Sequence, residues 1–152
     1  MRRSFIKLSL LFIASIFWSS NTFANSVKKK IINKNLTQAQ KNILFNEGTE
    51  RPFTSSLLYE KREGFYHCAN CDAKLFSSKA KFDSGTGWPS FSESLPGAFK
   101  TKVDYALGMK RIEYHCANCG AHHGHVFEDG PSETGKRFCN NGLCLIFKPS
   151  KL

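Results

Sequence analysis

Tyr66-His67-Cys68-Ala69-Asn70-Cys71-Asp72-Ala73 returns, 48 residues later, as Tyr114-His115-Cys116-Ala117-Asn118-Cys119-Gly120-Ala121. Two copies are too few for a solenoid, which needs about three repeats. The octapeptides therefore read as a pair of equivalent knuckles facing each other. Two residues between cysteines let a tight turn aim both sulfurs at one point. Cys68, Cys71, Cys116 and Cys119 together offer four thiolates, the number that closes a tetrahedral zinc shell with no position left for water. Such a zinc ion, one per chain, would hold structure rather than catalyse, and its binding would add directly to folding free energy. Two redox-active Cys-x-x-Cys disulfides, or structural disulfides paired across the knuckles, are the alternatives. A thioredoxin-like arrangement is disfavoured because no βαβ pattern surrounds either motif.

Outward from the knuckles the texture is that of short strands broken by turn residues. Residues 64–67, 74–76, 103–107, 111–114, 125–127 and 143–147 are strand candidates. Asp83-Ser84-Gly85-Thr86-Gly87, Glu128-Asp129-Gly130-Pro131 and Asn140-Asn141-Gly142 are turns or loops. Each knuckle follows a strand, so a bound metal would tie two β-hairpins together. Upstream, Thr37 and Gln40 form a capping box. The short helix it starts, which Asn46 and Gly48 would stop, places Ala39, Ile43 and Leu44 on one face. The expectation is a mainly β fold, a small antiparallel domain with one or two short N-terminal helices. The 152 residues suit one domain able to bury a real core, and 41% hydrophobic content excludes a disordered chain.

The N-terminus carries a different signal. Arg2, Arg3 and Lys7 precede an apolar run from Leu8 to Trp18, and Thr22-Phe23-Ala24 supplies small residues before a cut after Ala24. Residues 1–24 read as a signal peptide, with an uncleaved anchor as the alternative. The run is shorter than the roughly 20 residues a membrane span needs. Arg2-Arg3 also fits a twin-arginine export motif, so the route, general or twin-arginine, stays open. An exported, periplasmic protein is expected. The full chain has net charge +10; the 128 residues after the cut hold 19 basic and 12 acidic side chains, net +7. Residues 25–36 form a basic linker whose Lys28-Lys29-Lys30 run reads as a solvated tail. Residues 37–152 are the domain.

Two cysteines remain outside the knuckles. Arg137 precedes Cys139 by two residues, so an extended chain puts guanidinium and thiol on one face, where the cation would favour the reactive thiolate. Cys144 lies in an apolar run and reads as a small buried core residue. His122-His123-Gly124-His125 could be a second metal site, a source of general acids, or a solvated loop, and Asp129 could orient one imidazole. Trp88, on the turn Gly85-Thr86-Gly87-Trp88-Pro89, is either core or the wall of an apolar pocket.

From about Leu36 to the C-terminus the chain resembles the B-type methionine sulfoxide reductases. The resemblance rests on Gly48-Thr49-Glu50-Arg51-Pro52-Phe53, on the run from Lys81 to Phe91, on Gly124-His125-Val126-Phe127 with Asp129-Gly130-Pro131, and on Arg137-Phe138-Cys139-Asn140-Asn141. It implies two antiparallel sheets and the zinc site. It implies reduction of the R epimer of methionine sulfoxide, mainly in proteins, with Cys139 as nucleophile passing through a sulfenic acid. His122 and His125 match the polar pocket residues that supply a proton, Asp129 would hold one of them, Arg137 would favour the thiolate, and Asn141 would support them. Trp88 would pack against the ε-methyl group. Oxidised proteins or peptides are the implied substrates, and a thiol or thioredoxin-like protein the donor.

One departure bears on turnover. Many family members carry a resolving cysteine where this chain has Thr86. If residues 139–144 were one strand, Cys139 and Cys144 would stand about 17 Å apart on opposite faces, beyond the roughly 7 Å between Cα atoms that a disulfide tolerates. Reduction by an external thiol is therefore expected. A zinc-ribbon module for nucleic acid and a periplasmic thiol–disulfide oxidoreductase are the readings from other classes; against the first, the basic residues are dispersed. A monomer is the default, with no nucleic acid and no stable membrane insertion once the signal is cut.

Overall fold

The computed structural model describes residues 28–151. The signal peptide, its cut after Ala24 and the first part of the linker lie outside the described residues. Among the described residues no helix is long and apolar enough to cross a membrane.

The single described α-helix, α1 (Gln38–Asn46), begins at the capping box: Gln40 N donates to the Thr37 hydroxyl at 3.2 Å, and Thr37 N to Gln40 Oε1 at 3.0 Å. Ile43 and Leu44 are its buried residues. The strands that follow are β1 (Gly64–Cys68), β2 (Lys74–Ser77), β3 (Lys81–Phe82), β4 (Ser90–Phe91), β5 (Phe99–Asp104), β6 (Arg111–Cys116), β7 (His122–Phe127), β8 (Arg137–Asn140) and β9 (Leu145–Pro149). They form two antiparallel sheets, as expected. The smaller runs β2-β1-β9 and the larger β3-β4-β8-β7-β6-β5. Aromatic side chains from the two sheets meet in the core. Phe76 stacks on Phe91 with centroids 4.0 Å apart, Tyr66 meets Phe91 edge-on at 4.9 Å, and Phe99 meets Tyr114 at 4.7 Å. Such pairs contribute about 0.5–1.5 kcal/mol each beyond the area they bury.

Each knuckle is the turn of a hairpin, β1–β2 in the small sheet and β6–β7 in the large one. The two turns have the same backbone bonds: Cys68 N to Ala73 O and Asp72 N to Cys68 O, matched by Cys116 N to Ala121 O and Gly120 N to Cys116 O. Both close through a left-handed residue, Asp72 at φ 60° and Gly120 at φ 71°. The repeat in the sequence is thus a repeat in conformation.

Several elements differ from expectation. The strand expected at 103–107 begins earlier, at Phe99, because Lys100 and Lys102 interrupt any apolar run. They are exposed on β5, an edge strand where lysines block pairing with other chains. β3 and β4 have two residues each and carry no pattern of their own. Residues 139–144 are not one strand. β8 ends at Asn140, a 3-10 turn occupies Gly142–Cys144, and β9 joins the other sheet. The basic run is not a free tail either. Lys29 Nζ reaches Glu47 at 2.8 Å, and Lys30 N donates to Cys119 O at 3.0 Å. Ile32 N and Asn33 N share Asn70 Oδ1 in the first knuckle. Residues 30–33 thereby strap both knuckles.

A Cβ at a left-handed position costs roughly 1–2 kcal/mol. Gly120→Ala should lower the unfolding free energy of the metal-loaded protein by that amount in a urea titration. Asp72→Gly relieves the same strain and removes only exposed contacts of the carboxylate with Lys148 and His67, so it should leave stability unchanged or slightly raised.

Candidate active site and metal centre

At the knuckles, the four sulfurs lie within 4.8 Å of one another. Cys68 Sγ is 3.8 Å from Cys119 Sγ, and Cys71 Sγ is 3.6 Å from Cys116 Sγ. A tetrahedral zinc ion with bonds of about 2.3 Å holds its sulfurs about 3.8 Å apart, so the set fits that ion. Both of these contacts run between knuckles, so the four sulfurs form one cluster rather than two separate Cys-x-x-Cys pairs. The cluster resists ionisation without a cation. Hydrogen bonding to neighbouring sulfurs, with burial, pushes Cys116 up to about 12 and Cys68 up further. Cys119, accepting from Cys116 and Cys68, is held down.

The second site lies one strand away. β8 sits between β4 and β7, and Cys139 pairs with Ser90 on one side and His125 on the other. Directly opposed residues share a face, so Cys139, His125 and Ser90 face the same way, as do Arg137 and Phe127. Above them opens a cavity of about 140 Å³ lined by Thr49, Trp88, Arg111, His125, Phe127, Cys139 and Asn141. Cavities near 150 Å³ accommodate a molecule the size of benzene, which is the scale of one apolar side chain with a small polar group. Trp88 is pocket wall rather than core. Its indole N–H donates to Glu50 O at 3.1 Å, which fixes the ring plane.

Burial pushes the Cys139 thiol up, and Arg137 and then the Thr86 hydroxyl offset part of that rise. The expected cation is in place on the same face, but desolvation outweighs it in the empty pocket. Thr86 belongs to a hydroxyl chain: Ser84 Oγ is 2.8 Å from both Thr86 Oγ1 and Ser90 Oγ.

Two expected partnerships are corrected. Asp129 does not hold a histidine; it grips Arg137, Oδ1 to Nε and Oδ2 to Nη2, both at 2.8 Å. Arg137 also lies over the Phe127 ring at 4.5 Å. His125 is held instead by Asp104, Nε2 to Oδ2 at 2.7 Å, and the same oxygen accepts from Arg111 at 2.6 Å. The backbone N–H of Ala106 and the His125 ring hold the Asp104 carboxyl down at about 2. Burial lowers His125, while Asp104 pulls it back up. His122 does not line the cavity. It is buried behind His125, ring centroids 5.5 Å apart, with Nδ1 3.0 Å from Glu113 Oε1. That pair is within ionic reach, although its atoms are not aligned as a hydrogen bond. Burial raises Glu113, but His122 and Lys102 outweigh it and hold the carboxyl low.

Asp104, Arg111, Glu113 and Glu50 were not singled out in the sequence. Glu50 binds three parts of the site together. Its carboxylate accepts from Gly142 N and Leu143 N, its N–H donates to Asn141 Oδ1 at 3.0 Å, and its carbonyl holds Trp88. The block Gly48–Phe53 was the available signal. Cys144 is fully buried in the core cluster, with its sulfur 3.5 Å from His122 O. A larger cavity, of about 460 Å³, opens on the opposite face of the large sheet over Ile112, Val126 and Phe138 and contains no nucleophile.

Comparison with known proteins agrees with this geometry. The family described as SelR domain matches residues 36–149. The chain is 50% identical over 125 residues to proteins named peptide methionine sulfoxide reductase MsrB from Escherichia coli O45:K1 (strain S88), K12 (strain DH10B) and O157:H7 (strain EC4115). Each alignment covers 82% of this chain and 91% of the relative. A solved structure, the Mis18 "Yippee-like" domain, superposes with a TM-score of 0.50 and 13% identity, over 60% of this chain and all of its own. That likeness concerns the fold alone.

Two outcomes follow from the site. Because burial raises the Cys139 thiol, alkylation by iodoacetamide should be slow at neutral pH and still be climbing above pH 9, where an ordinary cysteine of pKa about 8.5 levels off. Arg137→Met should shift that profile further up; a plateau below pH 8 would contradict the balance of burial and charge. Separately, Glu50→Gln puts an amide donor against one of two backbone N–H groups. It should lower stability by ~1–3 kcal/mol and raise KM more than it lowers kcat, as the Trp88 wall loosens.

Proposed function

Since this chain belongs to the SelR-domain family of peptide methionine sulfoxide reductases, it reduces methionine sulfoxide, and we propose that it does so on the R epimer with Cys139 as the attacking thiol. The observation that carries this reading is the small cavity that Cys139, Trp88, His125 and Arg111 line together. The ε-methyl group packs against the indole, and the sulfoxide oxygen faces the imidazole and guanidinium. With both substituents assigned to walls, only one hand of the sulfur presents its open side to Cys139.

The thiolate attacks sulfur while the oxygen gains hydrogen-bonding and a proton from the His125 side. Oxygen then passes from the substrate sulfur to Cys139 Sγ: the transient sulfur–sulfur bond and the substrate S–O bond break, a Cys139 S–O bond forms, and methionine leaves as the thioether with a sulfenic acid on the enzyme. Enzyme thiol and sulfoxide thus become sulfenic acid and thioether with atoms balanced. Two external thiols, or one dithiol, then reduce the sulfenic acid, releasing water and a disulfide. Asp104 stabilises the charged imidazole, and burial lets it give the proton up. Asp129 locks Arg137 beside the thiol, and Asn141 ties the pocket wall to Glu50 and to His123 O. Zinc is the metal proposed for the four cysteines, where its role is to hold the two hairpins together.

Export completes the proposal. The basic head, apolar run and small-residue exit of residues 1–24 support delivery to the periplasm. There the substrates are proteins oxidised outside the cytoplasm, and the donor is a thiol or a thioredoxin-like protein.

The chain from Asn25, supplied with dithiothreitol, should turn over the R epimer of a peptide methionine sulfoxide and leave the S epimer untouched. Cys139→Ser should reduce neither. Turnover of both epimers would remove the two-wall account of handedness. Undiminished turnover by Cys139→Ser would remove the nucleophile.

A further inference from the structure

We infer that His123 is an outer-sphere partner of the metal centre, donating its Nε2–H to the Cys68 thiolate and slowing loss of the metal. The inference rests on the proposed zinc occupancy. Of the three histidines in β7, His122 and His125 have carboxylate neighbours. His123 points the other way, into the core, where it is fully buried and meets Phe99 edge-on at 5.5 Å. Its Nε2 lies 3.4 Å from Cys68 Sγ, whereas its Nδ1 makes no aligned hydrogen bond, the ring having only a looser contact with the Asn140 side chain.

That asymmetry decides the tautomer. A neutral imidazole carries one N–H. Placed on Nδ1, the hydrogen would be a buried donor without an aligned acceptor, which costs about 1–3 kcal/mol. Placed on Nε2, it meets the sulfur. Four thiolates around a divalent ion leave a net charge of about −2, and Cys68 is wholly shielded from water. A donor aimed at its sulfur takes up part of that charge where solvent cannot. Outer-shell partners of this kind typically change metal affinity by 10–100-fold. The main chain of the same residue serves the other site: His123 O accepts from Asn141 N at 2.9 Å and from Asn141 Nδ2 at 3.0 Å. The metal centre and the pocket therefore meet at one residue, by its ring and its carbonyl respectively.

The test is zinc transfer from the loaded protein to excess 4-(2-pyridylazo)resorcinol, after the zinc content of the wild type has been measured. His123→Leu should release zinc about tenfold faster or more. His123→Gln, whose Nε2–H reaches the place of the imidazole Nε2–H, should stay within about threefold of wild type. Equal release from wild type and His123→Leu would overturn the inference, as would His123→Gln releasing as fast as His123→Leu. A second measurement needs no variant. Long-range 1H–15N NMR on the zinc-loaded wild type should place the His123 proton on Nε2, and a proton on Nδ1 alone would overturn the inference. A wild type that holds no zinc would overturn it together with the zinc reading; a loaded wild type failing the other tests would overturn it alone.

Discussion

Four sulfurs that cannot all ionise unaided sit where the two sheets meet, and the positions of the other elements follow from that. Cys68 ends β1, the central strand of the small sheet, and Cys116 ends β6 in the large one. Neither hairpin has a wide apolar face of its own, and the two sheets touch mainly through aromatic rings. A cation held in common by the four sulfurs would close the gap at one end, where the strap at residues 30–33 covers both knuckles. β7 leaves the second knuckle directly and runs beside β8. The strand that carries His125 is therefore fixed at its start by the metal centre and along its length by the strand that carries Cys139.

Charge in the large sheet is arranged as an alternating chain. Lys29, Glu47, Lys102, Glu113 and His122 follow one another at 2.6 to 3.0 Å from the surface to the interior. A lone buried carboxylate at Glu113 would carry a heavy desolvation penalty; Lys102 supplies its counter-charge at 3.0 Å. This explains why His122 is absent from the cavity: it completes the inner end of the chain. His125, its neighbour in space, is left with Asp104 and Arg111 at the pocket mouth. The same contest decides Cys139. Desolvation works against the thiolate and Arg137 works for it, but Arg137 is already paired with Asp129. Its guanidinium still favours the thiolate chiefly through its charge, which Asp129 offsets in part, and then through a hydrogen bond.

What the sequence made legible was local. The capping box, the paired knuckles and the shared face of Arg137 and Cys139 all depend on residues within a few positions of one another. β8 was missed as a strand because Arg137-Phe138-Cys139-Asn140 has no apolar alternation; its hydrogen bonds come from β4 and β7, far away in the chain. Asp104 and Glu50 reach their partners across 21 and 91–93 positions, so no spacing rule could connect them. Asp129 illustrates the opposite error. It is close to His125 in sequence, but it lies past the end of β7, within reach of Arg137, which opposes the strand's last residue, Phe127.

The expected isolation of Cys144 from Cys139 stands on a different footing from the one-strand argument. The chain turns between them, which brings Cys144 back under the large sheet rather than away from it. Cys139 faces the cavity, whereas Asn140 next to it points inward to Tyr114, and Cys144 lies on that inner side with its thiol pushed far up by burial. The sheet separates the two sulfurs. On the cavity side, the hydroxyls of Thr86, Ser84 and Ser90 take the place of a second thiol. On the proposed chemistry, a sulfenic acid on Cys139 would meet hydroxyls there and no second thiol. A cavity of about 140 Å³ is on the scale of one side chain, so on that chemistry methionine would leave before a donor sulfur took its place.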